Sequence, residues 1–242
     1  MNAFVAALAL AAAAAPAPGE YVVAATREPA AALLAGDEGA WHDGARVEWG
    51  PARYVTEFRA LWSPDGLFLR FDARDPSPWH TMTRRDEHLW EEEVVEIFLD
   101  PGRSGRDYAE LEISPANVVC DVRMIQPSPD KKMDLAWDIE GLETRVLPWR
   151  DLGGKTQGWT ALARVPWTGL RSLPSTAKAA LPPRAGDRWR FNLFRVERPG
   201  GKEHPDEGAI EVAWSPTGEP SFHVPAAFRD LVFSADKGTA RR

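Results

Sequence analysis

Cysteine is almost missing from this chain: its 242 residues include one, Cys120. An internal disulfide framework is therefore excluded, and the fold must be held by a core. A clustered basic run is missing as well, and the formal net charge is -7 at pH 7. Nucleic acids and anionic membrane surfaces both need grouped Lys and Arg, so neither is an expected partner. No Gly-x-Ser-x-Gly turn, His-Glu-x-x-His pair or phosphate-cradling glycine loop occurs, which removes several common enzyme signatures. Cys-x-x-Cys-His is also lacking, so covalent haem attachment is out. No apolar run is long enough to span a bilayer; the one in MNAFVAALALAAAAAPAPGE soon gives way to small residues and prolines.

That opening stretch has the order of a secretory signal over residues 1–18, although no Lys or Arg precedes its apolar run. The expectation is a secreted or periplasmic protein, not integral to a membrane once the signal is removed. Residues 20–236 read as one unit and 237–242 as a flexible tail.

Tryptophan, by contrast, is abundant: 11 residues, more than a core of this size needs, so some are candidates for flat binding surfaces. The 21 prolines and 19 glycines fall mostly between short β-type runs. YVTEFRALW and LFLRFDAR flank SPDG, a hairpin turn; EVVEIFLD and YAELEIS flank PGRSGRD; NVVCDVRM, WTALARVPW, RWRFNLFRVE, AIEVAWS and DLVFS follow. Helix signals are short, at 167–173 and 226–228. Many short strands with few helices imply an all-β fold, a sandwich or barrel.

The stretch LWEEEVVEIFLDPG, residues 89–102, carries an acid inside an apolar strand. Side chains alternate along a strand, so Val95, Ile97 and Leu99 share one face, and Val94, Glu96 and Phe98 the other. Leu111 and Ile113 are core candidates on the next strand, opposite Tyr108, Glu110 and Glu112. On the third strand Asn117, Asp121 and Arg123 oppose Val118, Cys120 and Val122. Antiparallel pairing is expected to set the three polar faces side by side: Glu96, Glu110, Glu112, Asn117, Asp121 and Arg123. A solvated outer face is the ordinary fate of such a pattern. Glu96, between Val94 and Phe98, is expected to be partly buried and so to need donors or a cation. Arg123 or Arg195, the latter in the charged, apolar strand NLFRVER, would serve.

ALWSPDGLFLRFDARDP, LWEEEVVEIFLDP, YAELEISPANVVCDVR, GWTALARVPW, WRFNLFRVER and AWSPTGEPSFHVPAAFRDLVF together resemble carbohydrate-binding module family 9 and its family-9-like (DOMON-like) relatives. Their order and spacing cover most of the chain from Trp41 onward. The resemblance implies a single β-sandwich with jelly-roll character and a few short helices. It implies non-catalytic carbohydrate binding in xylan- or cellulose-type polysaccharide catabolism, with a glycoside hydrolase as a partner. In such modules two tryptophans clamp the sugar; the first falls on Trp90, with the nearby acid on Glu96. Two positions depart from the pattern. The family's arginine falls on Glu112, and its second tryptophan on Phe222. Calcium is a further implication, without an acid cluster in the sequence to match it. Candidate ligand-binding residues are thus Trp90, Glu96, Glu112, Asn117, Arg195, Phe222 and His223. Trp79 and His80 are candidates for a rim. Two rivals remain: a glycoside hydrolase using Glu96 and Glu112 as paired carboxylates, and a haem-binding electron-transfer sandwich using Met124, Met133 or a histidine.

Overall fold

The computed structural model describes residues 19–236; the expected export signal, 1–18, and the expected tail, 237–242, lie outside them. Thirteen strands run in chain order. They are β1 (Glu20–Ala25), β2 (Val47–Trp49), β3 (Thr56–Ser63), β4 (Gly66–Arg74), β5 (Val94–Asp100), β6 (Tyr108–Ile113) and β7 (Val119–Gln126). The rest are β8 (Lys132–Asp134), β9 (Glu143–Arg150), β10 (Thr156–Val165), β11 (Arg188–Glu197), β12 (Ile210–Ala213) and β13 (Arg229–Ser234). One short helix, α1 (Ala30–Leu34), and 3-10 turns at Leu89–Glu91, Trp167–Leu170, Pro174–Lys178 and Pro225–Ala227 complete the described elements. The all-β expectation holds.

The strands form one hydrogen-bonded path, β8-β7-β6-β5-β11-β13-β1-β3-β4-β10-β9, with β12 on β11 and β2 on β3. The path folds over so that its two halves face each other across one core. Val95, Ile97, Leu99, Leu111 and Ile113 from one half meet Phe58, Leu69, Phe71 and Ala161 from the other. Phe58 and Phe191 stand 6.5 Å apart across it. β1 closes the seam by pairing in parallel with both β13 and β3. α1 covers the outside of the β3-β4-β10 half, packing Leu33 and Trp41 over Leu61, Phe68 and Leu162.

β5, β6 and β7 are antiparallel neighbours as expected, but the register of β7 overturns part of the expected polar surface. Ile113 lies opposite Val119, so Cys120 and Val122 stand across from Glu112 and Glu110. Asp121 and Arg123 turn to the other face. The cause is the turn. Asn117 N–H donates to the Ser114 carbonyl (3.0 Å), Ser114 N–H donates to Val118 (2.9 Å), and Asn117 takes φ 61°. Loop geometry fixes register, and a shift of one residue flips every side chain. Asp121 is buried and accepts from Ile139 N–H (2.6 Å) and from Arg85. Arg123 pairs with Asp107 at 2.6 Å and does not reach Glu96.

A candidate sugar pocket

The outer face of β5, β6, β7 and β11 is not solvated. Phe98, Tyr108, Met124 and Phe194 form one apolar cluster there, and Leu89, Val94, Cys120, Val122 and Val196 another. Three loops build walls above it: the 3-10 turn with Trp90, the β7–β8 connection with Lys131, and the segment before β13 with Phe222 and His223. Between them lies a cavity of about 250 Å³. That is below the ~300–1,000 Å³ of sites for drug-sized ligands, so it suits a single small ring.

The aromatic residues of the walls are held by stacking. His88 stacks on Trp90 (centroids 4.5 Å apart, 19° between planes). Phe222 stacks on Phe194 (4.3 Å, 20°), and the His223 ring lies on Phe98 (5.0 Å, 11°). Both His223 nitrogens are engaged, Nδ1 with the Tyr108 hydroxyl at 3.0 Å and Nε2 with Lys131 Nζ at 3.2 Å. An ammonium only donates, so Nε2 accepts and the proton sits on Nδ1. Burial, with Lys131 nearby, lowers the imidazole pKa to about 3, so the ring is neutral. Trp90 and Phe222 are both half-buried and line the cavity.

Glu96 and Glu110 form the floor, and Glu112 lies directly behind, opposite Glu96 in the β5–β6 register. Glu96 is 2% exposed and Glu112 0%, so both are buried more deeply than the sequence suggests. Glu96 Oε1 and both Glu112 oxygens lack a donor. Burial, then mutual repulsion, pushes Glu96 and Glu112 well above the usual carboxylate range. Burial raises Glu110 to about 7, with Lys131 acting against it.

The structure thus brings Trp90, Glu96, Phe222 and His223 together around one cavity, with Glu112 behind its floor. It does not bring Asn117 or Arg195 there. Asn117 is exposed on the β6–β7 turn. Arg195 lies opposite core-facing Val95, whereas Phe194 lies opposite Glu96, so Arg195 points into the sandwich. It lies 5.0 Å over the Trp159 ring and pairs with Asp75 (3.4 Å) and Glu197. The expected pair between Glu96 and Arg195 is therefore absent. Lys131, Glu211 and Arg198 also line the cavity; Lys131 and Glu211 come from polar loop or edge segments with no periodic signal. Trp79 is a tether, its indole N–H bound to the Arg198 carbonyl at 2.8 Å.

Three acid groupings among the described residues have the spacing for a metal ion. Two do not fit calcium. Arg195 occupies the group of Asp75, Glu93 and Glu197, and Arg85 binds Asp86, Asp121 and Asp138. The third is the floor triad; the cavity above it is walled by aromatic and aliphatic side chains together with Lys131 and Arg198, whereas calcium takes six to eight oxygens.

No family model matches the chain. A protein of Arthroderma benhamiae named as an extracellular protein is 26% identical over 185 residues, covering 74% of this chain and 78% of the relative. Among solved structures, a family 9 carbohydrate-binding module from Caldicellulosiruptor kristjanssonii in complex with cellotriose superposes with TM-score 0.59 at 13% identity, covering 92% of this chain and 97% of the module. Its glucose complex gives 0.58 at 15%, with 92% and 100% covered. A Bacteroides uniformis protein, whose assignment to carbohydrate binding is provisional, gives 0.63 at 16%, with 89% and 99% covered. The chain has the family 9 module fold, a β-sandwich. No helix among the described residues is long and apolar enough to cross a membrane.

Proposed function

We propose that this protein binds a carbohydrate without transforming it, in the cavity walled by Trp90 and Phe222 and floored by Glu96. The observation that carries the reading is this pairing of ring surfaces with buried carboxylates in one small cavity. A pyranose presents an apolar C–H face and a rim of hydroxyls. Covering roughly 50 Å² of such a face contributes about 1 kcal/mol at ~25 cal/mol/Å². A single-ring site should therefore bind in the micromolar to millimolar range. The likeness to modules solved with cellotriose and glucose supports this reading. Export to the cell exterior or periplasm belongs to the same proposal, supported by the relative named as extracellular; so do a role in xylan or cellulose breakdown and work alongside a glycoside hydrolase.

The floor acids are poorly placed for hydrolysis. Catalytic carboxylates flank the scissile bond on opposite sides, whereas oxygens of Glu96, Glu110 and Glu112 crowd within 4.8 Å on one side. Haem ligation is equally disfavoured, because Met124 is buried and both His223 nitrogens are engaged. Titration of the purified protein against a glycan array tests the proposal: binding to one or a few related sugars is expected, and binding to none would defeat it.

A further inference from the structure

The floor triad gathers three buried acids for which the described surroundings supply no paired cation. None of Glu96, Glu110 and Glu112 forms an ion pair among the described residues; Glu96 lines the cavity, and its buried Oε1 has no donor. The other acids of the lining are Glu211, taken by Arg198 at 2.7 Å, and Glu91, 3.4 Å from His88. Of the two cations among the described residues of the lining, Arg198 is paired with Glu211, and Lys131 is directed elsewhere: its Nζ contacts His223 and lies 5.7 Å from the Trp90 ring centroid. The position of Lys131 also shows that an ammonium is accepted against these aromatic walls, where the ring quadrupole attracts a cation.

A buried carboxylate persists only when protonated or paired. Resting on the sugar-binding reading, we propose that the cavity selects a sugar bearing a free amino group, with its ammonium seated against Glu96 and Glu110 and Glu112 reinforcing them from behind. A neutral sugar would leave the triad to its protons. An ammonium replaces those protons with a fixed positive charge and three donors, while the sugar ring stacks on the walls. A divalent cation would leave the aromatic walls without a purpose.

Calorimetric titration of the full chain at pH 7 with D-glucosamine, D-glucose and N-acetyl-D-glucosamine tests this. The acetylated sugar keeps the nitrogen but removes its charge. Glucosamine is expected to bind at least tenfold more tightly than either neutral sugar, and Glu112→Gln should bring that ratio close to one. The wild-type comparison stands even if the variant fails to fold. Equal or weaker binding of glucosamine beside measurable glucose binding overturns the amine proposal and leaves the sugar-binding reading intact. Calcium binding that Glu112→Gln removes, without any preference for glucosamine, also overturns it. Binding of no sugar in a wider panel would bring down both.

Discussion

Two buried acid groups lie on opposite faces of strand β11 and its neighbours, one inside the sandwich and one beneath the outer cavity. Inside the sandwich, Asp75, Glu93 and Glu197 surround Arg195. Beneath the outer cavity, Glu96, Glu110 and Glu112 surround no cation. The inner group is knitted into the fold: Arg195 pairs with two of its acids, Asp75 accepts from Ser77 N–H (2.9 Å) and the Trp159 indole (3.3 Å), and Glu93 accepts from Trp79 N–H (2.9 Å). Even so, one Glu93 oxygen is left over, and burial plus the charges of Glu197 and Asp75 push this acid up to about 10. The outer group is left open throughout. The inner group has the connections of a structural element, and the outer group has the unmet demand of a site.

Breaking the inner group should have the largest effect on stability. Arg195→Met strands Glu197 and Asp75 without a counter-charge, and loss of one partner of a buried pair costs roughly 3–5 kcal/mol. Chemical denaturation should show that loss. A denaturation midpoint like wild type would mean the inner group is not held by its arginine.

The outer group should respond to protons. Glu110 has its pKa raised from 4.5 to about 7, so between those values the folded state binds more protons than the unfolded state. The stability contributed by protonated Glu110 is complete below pH 4.5 and is lost as pH rises through about 7. The slope is up to ~1.4 kcal/mol per pH unit for one group. Asp121, raised to about 6, contributes in part of the same window, so the check is the difference between wild type and Glu110→Gln, whose stability profile should be flatter from pH 5 to 7.

Glu96→Gln sharpens the comparison from the ligand's side. It removes a buried acid that no protein group answers, so stability should hold or rise. Affinity for the bound sugar should fall by roughly 1–3 kcal/mol, the range for a hydrogen bond to a charged group. Unchanged affinity with a lowered melting temperature would assign Glu96 to the fold instead.

The smallest effect is expected at Asn117, outside both groups. Its φ of 61° suits glycine, so Asn117→Gly should change stability by no more than ~1 kcal/mol and leave sugar affinity unaltered. A loss of affinity would show that the ligand extends over the β6–β7 turn.

Strand alternation made β5 and β6 legible, including the face shared by Glu96, Glu110 and Glu112. It could not place Arg195, because β11 is buried on both faces from Phe191 to Glu197, and a strand apolar on both sides carries no parity signal. β7 failed for another reason: its register depends on the exact turn at 114–117, which composition does not specify. β9 was missed because it is an edge strand carrying Pro148, which its exposed position tolerates. β1 was missed because its partners, β3 and β13, are remote or parallel and leave no local mark. Trp90, Glu96, Phe222 and His223 were named largely through family resemblance. Lys131 needed coordinates, since nothing in SPDKKMD sets one lysine apart.

The central claim is that Trp90 faces a ligand and not merely the core. Trp90 packs at the edge of the cluster around Leu89 and Val94 and is only half-buried, so Trp90→Ala should cost less than the ~3–5 kcal/mol of a fully buried tryptophan. Once the glycan array has identified a bound sugar, calorimetric titration of wild type and Trp90→Ala with it, alongside thermal melts of both, decides the matter. Binding lost in a variant that still melts cooperatively is the predicted result; binding retained at wild-type affinity in the folded variant would contradict the account.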